Sequence, residues 1–252
     1  MKRLALFALV ALALMVPLMA HAQTASVFDV PLLKVEGQGG GQTLSLTLQT
    51  LALMTALTLL PSLLLVTTSF TRIIVTLSIL RQALGTQQTP PNQVLVGLAL
   101  FMTLFVMTPT FKQINDTAFA PYTAGQITIQ DAGARSLGVM KNFMVRHTRE
   151  SDLLLMAEMQ GDKGYESPEA VPISVVVPAF ILSELRTAFT IGFLLFLPFL
   201  VIDIVVASLL MSLGMMMLSP TLISLPFKLL LFVVVDGWSM TMSSLVESFT
   251  KG

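Results

Sequence analysis

Four charged side chains, Glu184, Arg186, Asp203 and Lys228, stand alone in the otherwise apolar stretch 171–235. A charge inside such a segment costs about 2.5–3.5 kcal/mol on insertion scales unless it is paired or wetted, so each of the four needs a protein neighbour or an aqueous path. Glu184 and Arg186 are two residues apart, hence on different helix faces, and are poor partners for each other. Acids placed this way could serve an ion channel or an ion-coupled transporter, with Glu184 or Asp203 as the carrier site or proton relay. They could also serve an intramembrane hydrolase, for which Asp203 and Asp236 are the late acids able to pair, but neither has a recognisable protease context. Asp203, between Ile202 and Ile204, is expected at the apex of a helical hairpin, where it would cap a helix or meet water.

Other residue types are less promising. His147, beside Arg146 and Arg149, has no cysteine and no histidine beyond residue 22 to join it, so it reads as a packed or capping histidine and no metal is implied. The alternating Arg146, Arg149, Glu150 and Asp152 read as a solvated face with local pairs. The run Gly39-Gly40-Gly41 lacks the strand-to-helix context and the following Lys-Ser or Lys-Thr of a phosphate loop. No cofactor is expected.

The elements that must position these residues follow from composition. Apolar residues make up 54% of the chain, charged residues 11%, and mean hydropathy is +0.83, a balance typical of integral membrane proteins. Lys2 and Arg3, a short apolar run and Ala20-His21-Ala22 predict a signal peptide over 1–22, cleaved between Ala22 and Gln23, so the mature N-terminus is exported. Losing Lys2 and Arg3 leaves a slight acidic excess, which argues against nucleic acid as a partner.

Residues 23–43 read as a flexible exported leader. Residues 44–111 hold a first apolar helix pair, with a kink expected at Pro61, a helix end near Gly85 and a turn forced by Pro90-Pro91. Arg72 and Arg81, on an acid-free connection, mark that side of the pair as cytoplasmic. The second helix of the pair is expected to stop at Pro109 and Lys112. Residues 112–170 carry most of the remaining charge and read as a polar, mostly helical subdomain. Residues 171–252 form a second apolar helix pair. Within it, residues 187–218 hold a single charge and as continuous helix would run roughly 48 Å, against a ~30 Å hydrocarbon layer, so they are two short spans or something taller than a bilayer. The fold class is all-α.

The segment Pro178-Ala179-Phe180-Ile181-Leu182-Ser183-Glu184-Leu185-Arg186-Thr187-Ala188-Phe189-Thr190-Ile191-Gly192 resembles a signature of the FliP/SctR family, the P subunit of the flagellar type III export gate and its injectisome counterpart. Two further blocks are similar to that family: Thr68-Ser69-Phe70-Thr71-Arg72-Ile73-Ile74 running on to Pro90-Pro91-Asn92-Gln93, and Leu225-Pro226-Phe227-Lys228 through Asp236-Gly237-Trp238. The wording Gly85-Thr86-Gln87-Gln88-Thr89 and the signal peptide favour the flagellar branch.

The resemblance implies membrane-associated helical hairpins assembling into a homopentameric, helical cone-like export gate. FliQ and FliR subunits would complete the cone, with FlhB and FlhA as further partners. Unfolded flagellar substrates would pass through it at the bacterial inner membrane and flagellar basal body, much of the chain standing on the periplasmic side. It also implies roles for particular residues. Glu184 would pair across a subunit boundary, with Lys228 a candidate partner and pairing within one chain the rival; Arg186 and Asp203 are further inter-subunit charge candidates. Met215, Met216 and Met217, between Gly214 and Ser219-Pro220, would form a gate loop of flexible thioethers, where Met-rich runs otherwise serve as core filler. Phe143 would help constrict the lumen, with plain packing as the rival. No enzyme activity is implied, and the transporter alternative finds no inverted pair of interrupted helices in the chain.

Overall fold

Long apolar runs with few glycines leave the backbone only itself to bond with, and every described element is a helix. A computed structural model of the chain describes residues 42–250, apart from 87, 163, 164, 166, 168, 169 and 216, with side chains from residue 50 onward. The signal peptide, the Ala22–Gln23 junction and the leader up to residue 41 lie outside the described residues. The chain divides into Met1–Ala56 and Leu57–Gly252. Of the first unit, residues 42–56 are helix; the second holds the core and the sites below.

Helix α1 spans Gln42–Val66, α2 Phe70–Ala83 and α3 Asn92–Ile114. The last runs on through a wider turn at Asn115–Phe119 into Ala120–Thr123. Then come α4, Ile129–Arg146; α5, Glu150–Met159; α6, Ile173–Ser212; α7, Pro220–Val234; and α8, Gly237–Thr250.

The breaks fall where local chemistry allows, and not always where proline stands. Helix α1 continues through Pro61, and the bend of 67° comes instead at residues 67–69. There the Thr67 and Thr68 hydroxyls donate back to the Leu63 and Leu65 carbonyls, alongside those residues' own N–H groups, side-chain bonds of the kind that bend a helix. Helix α2 stops where expected, just before Gly85 at φ +76°. Helix α3 passes both Pro109 and Lys112, so the expected stop there lies within a helix.

Helix α6 is one 40-residue helix through Pro178 and Pro198, roughly 60 Å long and taller than a bilayer's hydrocarbon. Asp203 therefore lies in its interior and not at a hairpin apex. There its carboxylate is paired with the Lys228 ammonium and accepts a hydrogen bond from Ser224, both on α7. The apex is a glycine cap instead: Gly214 has φ +72° and the Met215 N–H reaches the Leu210 carbonyl at 2.9 Å.

Helix α2 lies along α6, and Gly192 permits the approach. A Cβ at that glycine would stand 2.5 Å from Ile79 Cδ1. Buried clusters continue the contact: Ile73, Leu77, Leu95, Ala99, Leu245 and Phe249 join α2, α3 and α8. Met107, Phe143, Met144, Val175, Val176 and Phe180 join α3, α4 and α6. By length and composition Asn92–Thr123 and Ile173–Ser212 suffice to cross a membrane, and the bent pairs α1–α2 and α7–α8 would add two more if each is one span.

Candidate functional site

Helix α2 presents Arg72 to α6 on the same face as Ile73, Thr76 and Leu80, so its guanidinium enters the core. There Nε and Nη2 donate to the two Glu184 oxygens at 2.9 and 2.5 Å. Arg72 is 3% and Glu184 0% exposed. A pair this deep persists only if its remaining polar atoms are also met. They are: Arg72 Nη1 donates to the Ser248 carbonyl and hydroxyl, both at 2.9 Å, and the guanidinium carbon lies 3.8 Å from the Phe249 ring centroid. One arginine thus fastens α2, α6 and the end of α8.

Lower on the same assembly of helices, Lys228 of α7 donates to Asp203 at 2.6 Å and to the Ala83 carbonyl at the end of α2 at 3.1 Å. Ser224 donates to the other Asp203 oxygen at 2.5 Å. The lysine is buried while the aspartate keeps part of its surface open. Arg186, nearly half exposed, brings Nη1 to 2.8 Å from fully buried Asp152 of α5, close enough for an ion pair though not aligned as a hydrogen bond.

Glu184, Arg186, Asp203 and Lys228 are thus all paired inside the chain. The Glu184–Lys228 pair is not one that the chain makes within itself, because Arg72 occupies both oxygens of Glu184 and Asp203 holds Lys228. Arg72, expected on the connection between the first two apolar helices, is a buried clamp within α2; an arginine among Ile and Val on a segment with no acid to pair it is the sequence signal for that role. Asp152 is no part of a solvated face.

His147 fills the capping role: Nδ1 lies 2.8 Å from the Phe143 carbonyl and Nε2 3.1 Å from that of Phe249. Phe143 is buried, its ring tilted against His147 and Phe180. Met215 is exposed and Met217 fully so, in the non-helical link between α6 and α7; Met216 lies outside the described residues. Among the described residues no group of three or more His, Cys, Asp or Glu side chains is arranged to hold a metal ion.

Apolar helices long enough to cross a membrane, bent pairs and charges consumed in structural pairs define an all-helical membrane protein. The family model described as the FliP family matches residues 53–245, and the chain belongs to that family. It is 59% identical over 219 residues, 87% of the chain and 73% of the relative, to the flagellar biosynthetic protein FliP of Cereibacter sphaeroides. It is 50% identical to the Bacillus subtilis protein of that name over 82% of the chain and 94% of the relative, and 47% identical to the Caulobacter vibrioides one over 99% and 91%.

Proposed function

We propose that the chain is a core, non-enzymatic subunit of the flagellar type III protein export gate. The observation that carries this is the family match across 53–245, together with relatives that bear the name flagellar biosynthetic protein. In this reading copies of the chain form a pentamer in the bacterial inner membrane. FliQ and FliR complete the gate, FlhB and FlhA adjoin it, and unfolded flagellar proteins cross through it, much of the cone standing on the periplasmic side.

The physical features support such a role. A helix roughly 60 Å long overshoots any hydrocarbon layer, so part of its apolar surface needs protein neighbours in place of lipid. Glu184 and Asp203, the acids an ion carrier would use, are held by Arg72 and Lys228. The exposed Met215 and Met217 suit a loop that closes a lumen and yields to a passing chain. Native mass spectrometry of the chain purified with its co-expressed FliQ and FliR tests the assembly. Five copies in one complex is the expected result; a stable monomer or dimer in their presence contradicts it.

A further inference from the structure

A cleft of about 310 Å³ opens between α3, α4 and α8. Its walls include Phe105, Val139 and Phe249, and its polar groups Asn142, Arg146 and His147. Among the described residues Arg146 is exposed and makes no ion pair or hydrogen bond, and no acid lines the cleft. An apolar slot with one unmatched cation fits an apolar side chain flanked by carboxylates.

The chain exposes that complement on α5. Glu150, Leu154 and Glu158 recur at i, i+4 and i+8, are exposed, and share the face opposite buried Asp152. Leu154 is 47% exposed. Among the described residues Asp131 and Asp162 are already engaged, by Thr128 and Tyr165. Neither Glu150 nor Glu158 has a partner among the described residues.

We propose that the cleft of one copy receives the Glu150–Leu154–Glu158 face of the next, with Leu154 entering the slot and the carboxylates meeting Arg146. Cleft and ridge are different surfaces of one chain, so the contact is head-to-tail, the kind that builds a ring when its rotation closes. The inference rests on the oligomeric export-gate reading and names the surface that such an assembly would use.

The chain has no cysteine, so cysteines can be introduced against an empty background. In the co-expressed gate, Asn142→Cys together with Leu154→Cys and a short bismaleimide should give a ladder of covalent oligomers, and each single variant only monomer. Arg146→Glu should lower the yield of assembled gate at least about fivefold, and adding Glu150→Arg with Glu158→Arg should restore most of it. Lys112→Glu, an exposed cation outside the cleft, controls for net charge and should assemble normally.

An absent ladder, or a triple variant no better than Arg146→Glu alone, overturns the inference. So does an Arg146→Glu gate that assembles fully, including one whose mass shows lipid retained in the cleft. If the wild-type gate forms its oligomer while these results fail, only the contact is wrong; if no oligomer forms at all, the export-gate reading fails with it.

Discussion

Arg72 and Glu184, 112 residues apart in sequence, meet through two charge-assisted hydrogen bonds in the protein interior. The pair joins two of the three blocks of sequence that resemble the family, and Arg72 reaches on to the last turn of α8 at Ser248. Secretion would therefore depend on these residues through the shape of the subunit.

Removing one partner strands a buried charge and should cost about 3–5 kcal/mol, whereas replacing both by apolar side chains of similar volume should cost far less. Arg72→Met and Glu184→Leu singly should abolish accumulation of folded protein. The double variant should recover a measurable fraction of it, read as detergent-resistant protein in membranes. Strictly additive losses would show that the two residues are not coupled.

Much of this architecture is legible in the sequence, and the misses share a cause. Apolar runs longer than a bilayer announce α6, and Gly85 announces the end of α2, because both are properties of neighbouring residues. Arg72–Glu184 and Asp203–Lys228 are not local. Sequence shows that each charge needs a partner but not which one, so Arg72 reads as a topology signal and Asp203 as a helix end. The prolines at 61 and 109 mislead for a related reason: whether a proline breaks a helix depends on who satisfies the freed carbonyl.

Helix α2 can approach α6 only because Gly192 has no side chain. Gly192→Ala would put a Cβ within 2.5–3.1 Å of three Ile79 atoms, an overpacking worth about 1–3 kcal/mol. Thermal denaturation in detergent should show the loss, and Ile79→Ala should relieve part of it. A double variant as unstable as the sum of the singles would contradict the close crossing.

Helix α4 begins with a reciprocal cap in which the Asp131 N–H donates to the Thr128 hydroxyl oxygen and the Asp131 carboxylate accepts from Thr128. Thr128→Ala should destabilise the helix by about 1 kcal/mol. The Thr128 side-chain and then backbone hydrogen bonds hold the Asp131 carboxyl below its usual range. A lowered folded value means that its contribution is present above the unfolded pKa, about 3.9, and is lost as pH falls through the folded one. Amide exchange over residues 130–133 should quicken on acidification in the wild type, and that pH-dependent part should shrink in Thr128→Ala, which keeps only the backbone hydrogen bond to the carboxylate.

Replacing Met215, Met216 and Met217 together by Ala should leave the gate assembled and partly active in export but leaky to small ions, read as collapse of the membrane potential on expression. An ion-tight variant whose assembly fails would mark the methionines as packing residues.

A subunit of the export gate is required for flagellar protein export. The direct measurement is the amount of hook and filament protein in the culture medium of a strain lacking the chain, with and without the wild-type chain restored. The deletion strain should secrete no hook or filament protein while still making the hook protein in its cytoplasm, and complementation should restore secretion. Undiminished secretion in the deletion strain would contradict it.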